Sequence, residues 1–326
     1  MSTNNFLITG AMGCLGAWVV RNLVQEGINT TVFDLSANKH RLELIMQPDE
    51  LARVGFIQAD LTNPAAVIEA VEATQTTHII HLAALQVPFC KANPSLGAAV
   101  NVVGTVNVFE AAKKMGLKHV VYASSIAVYG RVDEYTTSLL PHNARPRPHT
   151  LYGVYKHANE GTARIYWQDD GLASIGLRPY TIYGPGRDQG LTSAPTQAML
   201  AAARGDGYHI PFGGKNGFQY VDDVAKIFIQ AARTPVAGAE VFNIKGDVVH
   251  VRDVIAAIEA AEPAIAGRIT FDDRPLSFPE GQEDTALRQW LGEIPHTPLA
   301  TGVAQTIAHF KAALAANRLP NENQTE

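Results

Sequence analysis

"LITGAMGCLG", residues 7–16, decides how this chain is read. An apolar, strand-like run ends at Gly10, and a helical pattern begins after Gly16. Gly10, Gly13 and Gly16 punctuate the turn between them. Glycine allows a tight turn and lets backbone approach a pyrophosphate, which then faces the N-terminus of the following helix. The spacing is GxxGxxG, one residue longer than the common GxGxxG. Turns are rich in glycine, so the pattern has force only because it follows a strand, precedes a helix and opens the chain. On that reading Gly10, Met12, Gly13, Cys14, Leu15 and Gly16 form a dinucleotide phosphate loop. Cys14 is then a small packing residue and not a nucleophile.

Working outward, the first half alternates short β-type runs with amphipathic helical stretches. "NFLITG", "TTVFDL", "RVGFIQA", "THIIHLA", "LKHVVYASS" and later "LASIGLRPY" are short, apolar and rich in β-branched residues, as expected of strands covered on both faces. Asn63 before Pro64 and Asn93 before Pro94 each predict a helix N-cap followed by proline at the first helical position. Strand and helix in alternation predict right-handed βαβ units and a parallel, doubly wound α/β sheet. Beyond Tyr180 the pattern loosens. "TIYGPGRDQGLTSAP" and "HIPFGGKNGFQYV" read as glycine- and proline-rich loops, with helices near Asp222–Arg233, Val251–Ala261 and Leu299–Ala315. The expected division is a Rossmann domain over 1–179 and a smaller α/β substrate lobe over 180–326, with segments about 217–245 returning to the first. The polar tail "LPNENQTE" is read as frayed.

Asp34 ends the second strand, about 20 residues after the glycines, where an acid bonds the adenine ribose hydroxyls. A carboxylate there repels a 2′-phosphate, so the cofactor expected is NAD and not NADP; Lys39 and Arg41 nearby would weaken that preference. Asp60 in "QADLTN" is either an adenine contact or a turn residue. The chain has 326 residues, 46% hydrophobic and 17% charged, with a formal net charge of −5. That balance suits a globular enzyme and leaves no basic stripe for a nucleic acid. No run approaches the ~18 apolar residues of a membrane span, and the N-terminus lacks the pattern of a signal peptide. Cys14 and Cys90 are the two cysteines, which suits a reducing, cytoplasmic setting. His142, His149 and His157 lack HxxxH or HExxH spacing, so no metal is expected. His81 is expected to line the cofactor groove.

"TGAMGCLG", "HLAA", "NVVGT", "YASSIAVYG", "LYGVYK" and "LRPYTIYGPG" occur in that order over about the first two thirds of the chain. In these stretches the chain resembles the extended short-chain dehydrogenase/reductases, the group of NAD-dependent sugar-nucleotide epimerases and dehydratases. The resemblance implies that Tyr152 and Lys156 of YxxxK are catalytic, with Ser125 from the preceding strand end and Ser124 as its rival. It implies that Asn101 supports the active-site helix, and that Leu61, Leu82, Ala83, Ala84, Pro179 and Ile182 line the cofactor. The residue types suit the chemistry. Hydride leaves a carbon only as its hydroxyl loses a proton, and a phenol with pKa of about 10 is a poor base at neutral pH. A lysine one helical turn away is expected to lower that pKa, while Ser125 holds the substrate oxygen and Tyr155 packs.

Dehydratases of this group usually carry an acidic pair after the catalytic serine or threonine; Ile126 and Ala127 stand there. Nucleotide-sugar epimerases usually carry asparagine where Thr181 stands, and arginine-aspartate where Asn216 and Gly217 stand, with Lys215 a poor substitute. The expectation is a dehydrogenase acting on a secondary alcohol or ketone of a sugar, sugar acid or polyol. Gln86 and Arg187 are the substrate-side candidates, and Arg274 is a weaker one. An epimerase is the alternative, and a dinucleotide-binding sensor the third reading. The resemblance also implies a homodimer or larger homo-oligomer, paired through Pro94–Met115 and Leu151–Asp170.

Overall fold

The fold is given by a computed structural model that describes residues 4–319; most of the tail expected to fray therefore lies outside the described residues. Six strands form where the apolar runs place them: β1 (Asn5–Thr9), β2 (Asn29–Asp34), β3 (Gly55–Gln58), β4 (His78–His81), β5 (His119–Ala123) and β6 (Ala173–Arg178). Four more follow: β7 (Thr181–Tyr183), β8 (Lys215–Tyr220), β9 (Ala239–Asn243) and β10 (Asp247–His250). The central sheet has seven parallel strands in the order β9-β6-β5-β4-β1-β2-β3. The strand order reverses beside β1, which opens a crevice at the carboxyl ends of β1 and β4, where ligands bind in sheets of this kind. A second sheet orders β10-β8-β7, with β8 parallel to β7 and antiparallel to β10.

Helices α1 (Cys14–Gln25) and α2 (Pro64–Ala73) follow β1 and β3. Asn63 caps α2, accepting from the amides of Ala65 and Ala66. The helical run α3 covers Pro94–Lys114 and is interrupted by a π turn at Ala99–Val103. Helix α4 (Leu151–Asp170) carries the YxxxK pair, with Thr150 as its cap and Gly171 ending it. Later come α5 (Ala194–Arg204), α6 (Val221–Arg233), α7 (Val251–Ala261) and α8 (Leu299–Ala315). α6 packs on α1, while α8 packs on α5 and α7.

Two sequence expectations are corrected. "HIPFGGKNGFQYV" is not a loop: it holds the end of the short strand Tyr208–Ile210 and all of β8, and five of the six β8 residues are buried. Glycine stands at 217 because the Tyr180 ring comes within 3.0 Å of where a Cβ would lie, so here it marks close packing and not a turn. "TIYGPGRDQGLTSAP" likewise begins as β7 and ends inside α5. A third expectation, that no run approaches a membrane span, also needs amending. The run Pro94–Lys114 has 21 residues and a mean hydropathy of 1.2 over its best window, but half of that window is buried. Its Asn101 and Asn107 are buried and bond the backbone of Leu85 and Leu61, the behaviour of a core helix.

Candidate active site

A cavity of about 1340 Å³ runs along the carboxyl ends of the strands, from the glycine loop to α4. At one end Gly10 has φ +70°, and a Cβ there would meet the Ala83 backbone at 2.5 Å. A Cβ on Gly16 would lie 2.5 Å from the Gly10 carbonyl oxygen. Both positions therefore admit only glycine, and the loop backbone stays bare. No side chain caps α1, and its first turn carries no acid, so amides and the positive end of the helix face the cavity. These features fit a dinucleotide pyrophosphate. Asp34 accepts from the Met12 amide at 3.0 Å and the Ser36 amide at 2.9 Å. Asp60 closes a turn by accepting from the Thr62 amide at 2.8 Å, and it also lines the cavity. Burial pushes the Cys14 thiol up to about 12, so it stays protonated.

At the other end stand Ser125, Tyr152 and Lys156. Burial pushes the Tyr152 phenol up; a hydrogen bond with Ser125 and the Arg187 guanidinium pull it back. The sequence reading gave that second task to Lys156. Instead, Lys156 Nζ lies 5.7 Å from the centre of the Tyr152 ring and donates to the Ala123 carbonyl at 2.7 Å. Lys156 is itself buried, and desolvation lowers its pKa to about 8. Ser125 also accepts from the Ala127 amide at 3.1 Å. Ser124 is turned away, because its hydroxyl donates to Glu160 at 2.5 Å.

Behind these residues lies a buried polar frame. Glu160 of α4 receives Arg178 of β6 in two bonds of 2.8 and 2.7 Å. Burial raises the Glu160 carboxyl, but Arg178, His157 and Ser124 outweigh it and bring it to about 2. Asn101 sits off the cavity. Its side chain bonds both backbone groups of Leu85, and its carbonyl accepts from Asn159 of α4 at 2.9 Å. It therefore positions α4 and the 82–90 loop. Tyr155 donates to the Pro94 carbonyl. His81 does not line the groove, contrary to expectation. It is buried between Thr9 and Thr105 at 2.6 and 3.0 Å, and burial holds it neutral, near 3.

The segment after β7 crosses the cavity. Trp18 donates to the Pro185 carbonyl at 2.9 Å. Asp188 takes Arg41 at 2.6 Å and His40 at 3.1 Å, while Arg41 also donates to the Met12 carbonyl at 2.7 Å. Lys39 sits 3.5 Å over the Phe56 ring. Arg187 Nη2 donates to Thr192 at 2.8 Å, and its buried Nε has no partner. Leu61, Leu82, Ala83, Ala84, Gln86, Pro179, Ile182 and Arg274 all line the same cavity. Asp188 and Thr192 are absent from the sequence reading. Asp188 bonds a residue 147 positions away, a distance no local pattern reports.

A family model described as the NAD dependent epimerase/dehydratase family matches residues 6–244. The chain belongs to that family. It is an NAD-dependent enzyme of the extended short-chain dehydrogenase/reductase type, acting on a small molecule. UDP-glucose 4-epimerase of Mycolicibacterium smegmatis is 30% identical over 324 residues, covering 94% of this chain and 98% of that protein. Two solved structures share the fold. UDP-glucose 4-epimerase of Thermotoga maritima has a TM-score of 0.81 at 22% identity, covering 95% of this chain and 99% of that one. L-threonine dehydrogenase of Clostridium difficile has a TM-score of 0.80 at 21% identity, covering 98% and 100%. The sequence relative is an epimerase, while the two solved structures show the shared fold. The positions where the resemblance led to an expected nucleotide anchor lie away from the cavity. Asn216 is buried, receives the Tyr180 hydroxyl at 3.2 Å and does not line the cavity. Thr181 is fully buried as well, and its hydroxyl has no partner.

Proposed function

We propose that this protein is an NAD-dependent dehydrogenase that oxidises a secondary alcohol of a small polyhydroxylated substrate, or reduces the matching ketone. The observation behind the reading is the convergence of Tyr152, Ser125 and Lys156 at one end of a cavity whose other end is the glycine loop. The loop amides and Asp34 would hold the phosphate and adenosine ends of NAD, and Lys156 and Ile182 the nicotinamide end. Bound there, NAD supplies the hydride acceptor. Ser125 Oγ orients the substrate hydroxyl, and Tyr152 Oη takes its proton. Ser125 and the Arg187 guanidinium favour the phenolate that accepts it, and Lys156, held by the Ala123 carbonyl, would bond the nicotinamide ribose. The acids lining the cavity are Asp34, Asp60 and Asp188. None neighbours Ser125 in sequence, where a dehydratase would need its acid and base.

Incubation with NAD and a panel of sugars, sugar acids and polyols tests this reading through reduced-nicotinamide absorbance. Tyr152→Phe should still bind NAD and lose turnover by about a hundredfold or more. Near-wild-type activity in that variant would exclude Tyr152 as the base. The epimerase reading is favoured by the resemblance to the Mycolicibacterium epimerase over nearly both full lengths. It predicts a converted sugar with no NADH released. The proposal includes a Rossmann domain over 1–179 joined by the returning β9, a substrate lobe over the remainder, and a homodimer. It also includes a cytoplasmic setting, supported by two unpaired cysteines.

A further inference from the structure

Arg187 is short of partners. Its Nη2 donates to Thr192, and its Nε is buried and unbonded. Among the described residues no acid pairs with it. Its neighbour Asp188 is turned onto Arg41 and His40. Asp34 and Asp60, the other acids on the cavity wall, accept from the backbone amides of Met12 and Ser36 and of Thr62. A guanidinium with a buried, unanswered N–H is costly, and an anionic ligand would relieve that cost.

Gln86 lies beside it on the same cavity wall. Gly190 has φ +82°. A Cβ there would meet Gln86 Oε1 at 2.5 Å and Arg187 Nη2 at 3.9 Å. The Gln86 amide therefore packs directly onto Gly190, with the guanidinium next to it. Arg187, Gln86 and Gly190 line the same cavity as Tyr152 and Ser125, and the Arg187 guanidinium lowers the Tyr152 phenol. A planar fork of donors matches a carboxylate, and Gln86 would add to it only through its amide Nε2, its Oε1 being an acceptor. A diphosphate is the other candidate anion. It is disfavoured because, among the described residues, Arg187 and Arg274 are the only arginines besides the engaged Arg41 on the cavity wall, too few guanidinium cations for two phosphates and their charge.

We infer that Arg187 and Gln86, over Gly190, form a carboxylate subsite. The substrate class is therefore a hydroxy-carboxylate of the sugar-acid type, and not a neutral polyol or a nucleotide sugar. This rests on the proposed dehydrogenase reading of the same site. The carboxylate is not consumed; it fixes which hydroxyl faces Tyr152. A longer acid would place a more distant carbon there, so the subsite also sets chain length.

The test is paired. Four- to six-carbon aldonates, the alditols of matching length and configuration, and UDP-glucose are titrated calorimetrically into NAD-loaded Tyr152→Phe protein. The same compounds are then assayed for NADH with wild-type enzyme. An aldonate should bind about tenfold or more tightly than its alditol, the size of a lost charged hydrogen bond. Arg187→Met should abolish that difference while NAD affinity, measured separately, holds. The inference is overturned if no aldonate binds, or if an alditol or UDP-glucose binds as tightly as the best aldonate. It is equally overturned if Arg187→Met weakens NAD itself, since the arginine would then serve the cofactor. The wild-type comparison stands even if that variant fails to fold. Aldonate binding without Tyr152-dependent NADH would keep the subsite and remove the dehydrogenase reading.

Discussion

At the scale of single residues, Tyr152 explains why the site needs more than YxxxK. Burial alone holds its phenol up, and the groups that pull it down come from the turn after β5 and from the loop after β7. The spacing of Tyr152 and Lys156 was legible in the sequence. The contribution of Arg187 to the phenol was not, because it depends on a loop folding back over the cavity. With Tyr152 as base, oxidation requires the deprotonated phenol, so kcat/KM for alcohol oxidation should rise with pH through its titration. Ketone reduction requires the protonated form and should fall over the same range. A flat profile in both directions, measured with a substrate whose release is fast, would contradict that assignment. Asp34 supports a second expectation. The two cations that might have welcomed a 2′-phosphate are engaged, Arg41 by Asp188 and Lys39 on the Phe56 ring. NAD should therefore bind about tenfold or more tightly than NADP, and Asp34→Ala should narrow the gap. Fluorescence titration of both cofactors would check it, and equal affinities in the parent protein would contradict it.

At the scale of elements, the active-site helix is pinned to the sheet by one buried ion pair. Glu160 and Arg178 join α4 to β6 and also fix Ser124, Tyr129 and the His142 carbonyl. Breaking one side of such a pair costs about 3–5 kcal/mol, since the other charge is left buried. Glu160→Gln should lower stability by that order in chemical denaturation; an unchanged midpoint would show the pair to be idle. The pH dependence has a definite sign. The Glu160 carboxyl is depressed in the folded protein, from 4.5 to about 2, so the stability it adds is complete above about pH 4.5. That stability is lost as pH falls toward 2. The variant should lack this part of the acid response. Legibility also differed between elements. β1 to β6 were readable because a covered parallel strand is a plain apolar run. β8 was not, because Gly213, Gly214 and Gly217 mimic a loop. All three pack closely on other segments, with a Cβ on Gly213 meeting the Asp272 carbonyl oxygen at 2.5 Å. Packing of that kind has no sequence period.

At the scale of the whole molecule, α3 and α4 leave an apolar face uncovered. Leu96 and Val103 on α3, and Leu151, Val154, Ile165 and Trp167 on α4, are between 37% and 49% exposed. Tyr166 of α4 is used within the chain: it stacks on Phe109 at 5.0 Å and donates to Glu110 at 2.6 Å. Lys113 and Asp170 pair at 2.7 Å, holding the two helices side by side as a single presented surface. Scattered exposed apolar residues are ordinary, whereas six large ones on two adjacent helices mark a face that gains by association. A second copy related by a twofold axis would cover it with the same two helices, an isologous four-helix contact. Light scattering at micromolar concentration should then give about twice the 35.1 kDa chain mass. Val103→Glu together with Ile165→Glu should shift the protein to the monomer, because two carboxylates per copy would be buried without partners. The catalytic residues lie on the inner face of α4, toward the sheet, so the monomer should keep NAD binding. A parent protein that stays monomeric on concentration would remove the pairing and leave the apolar face for a different partner.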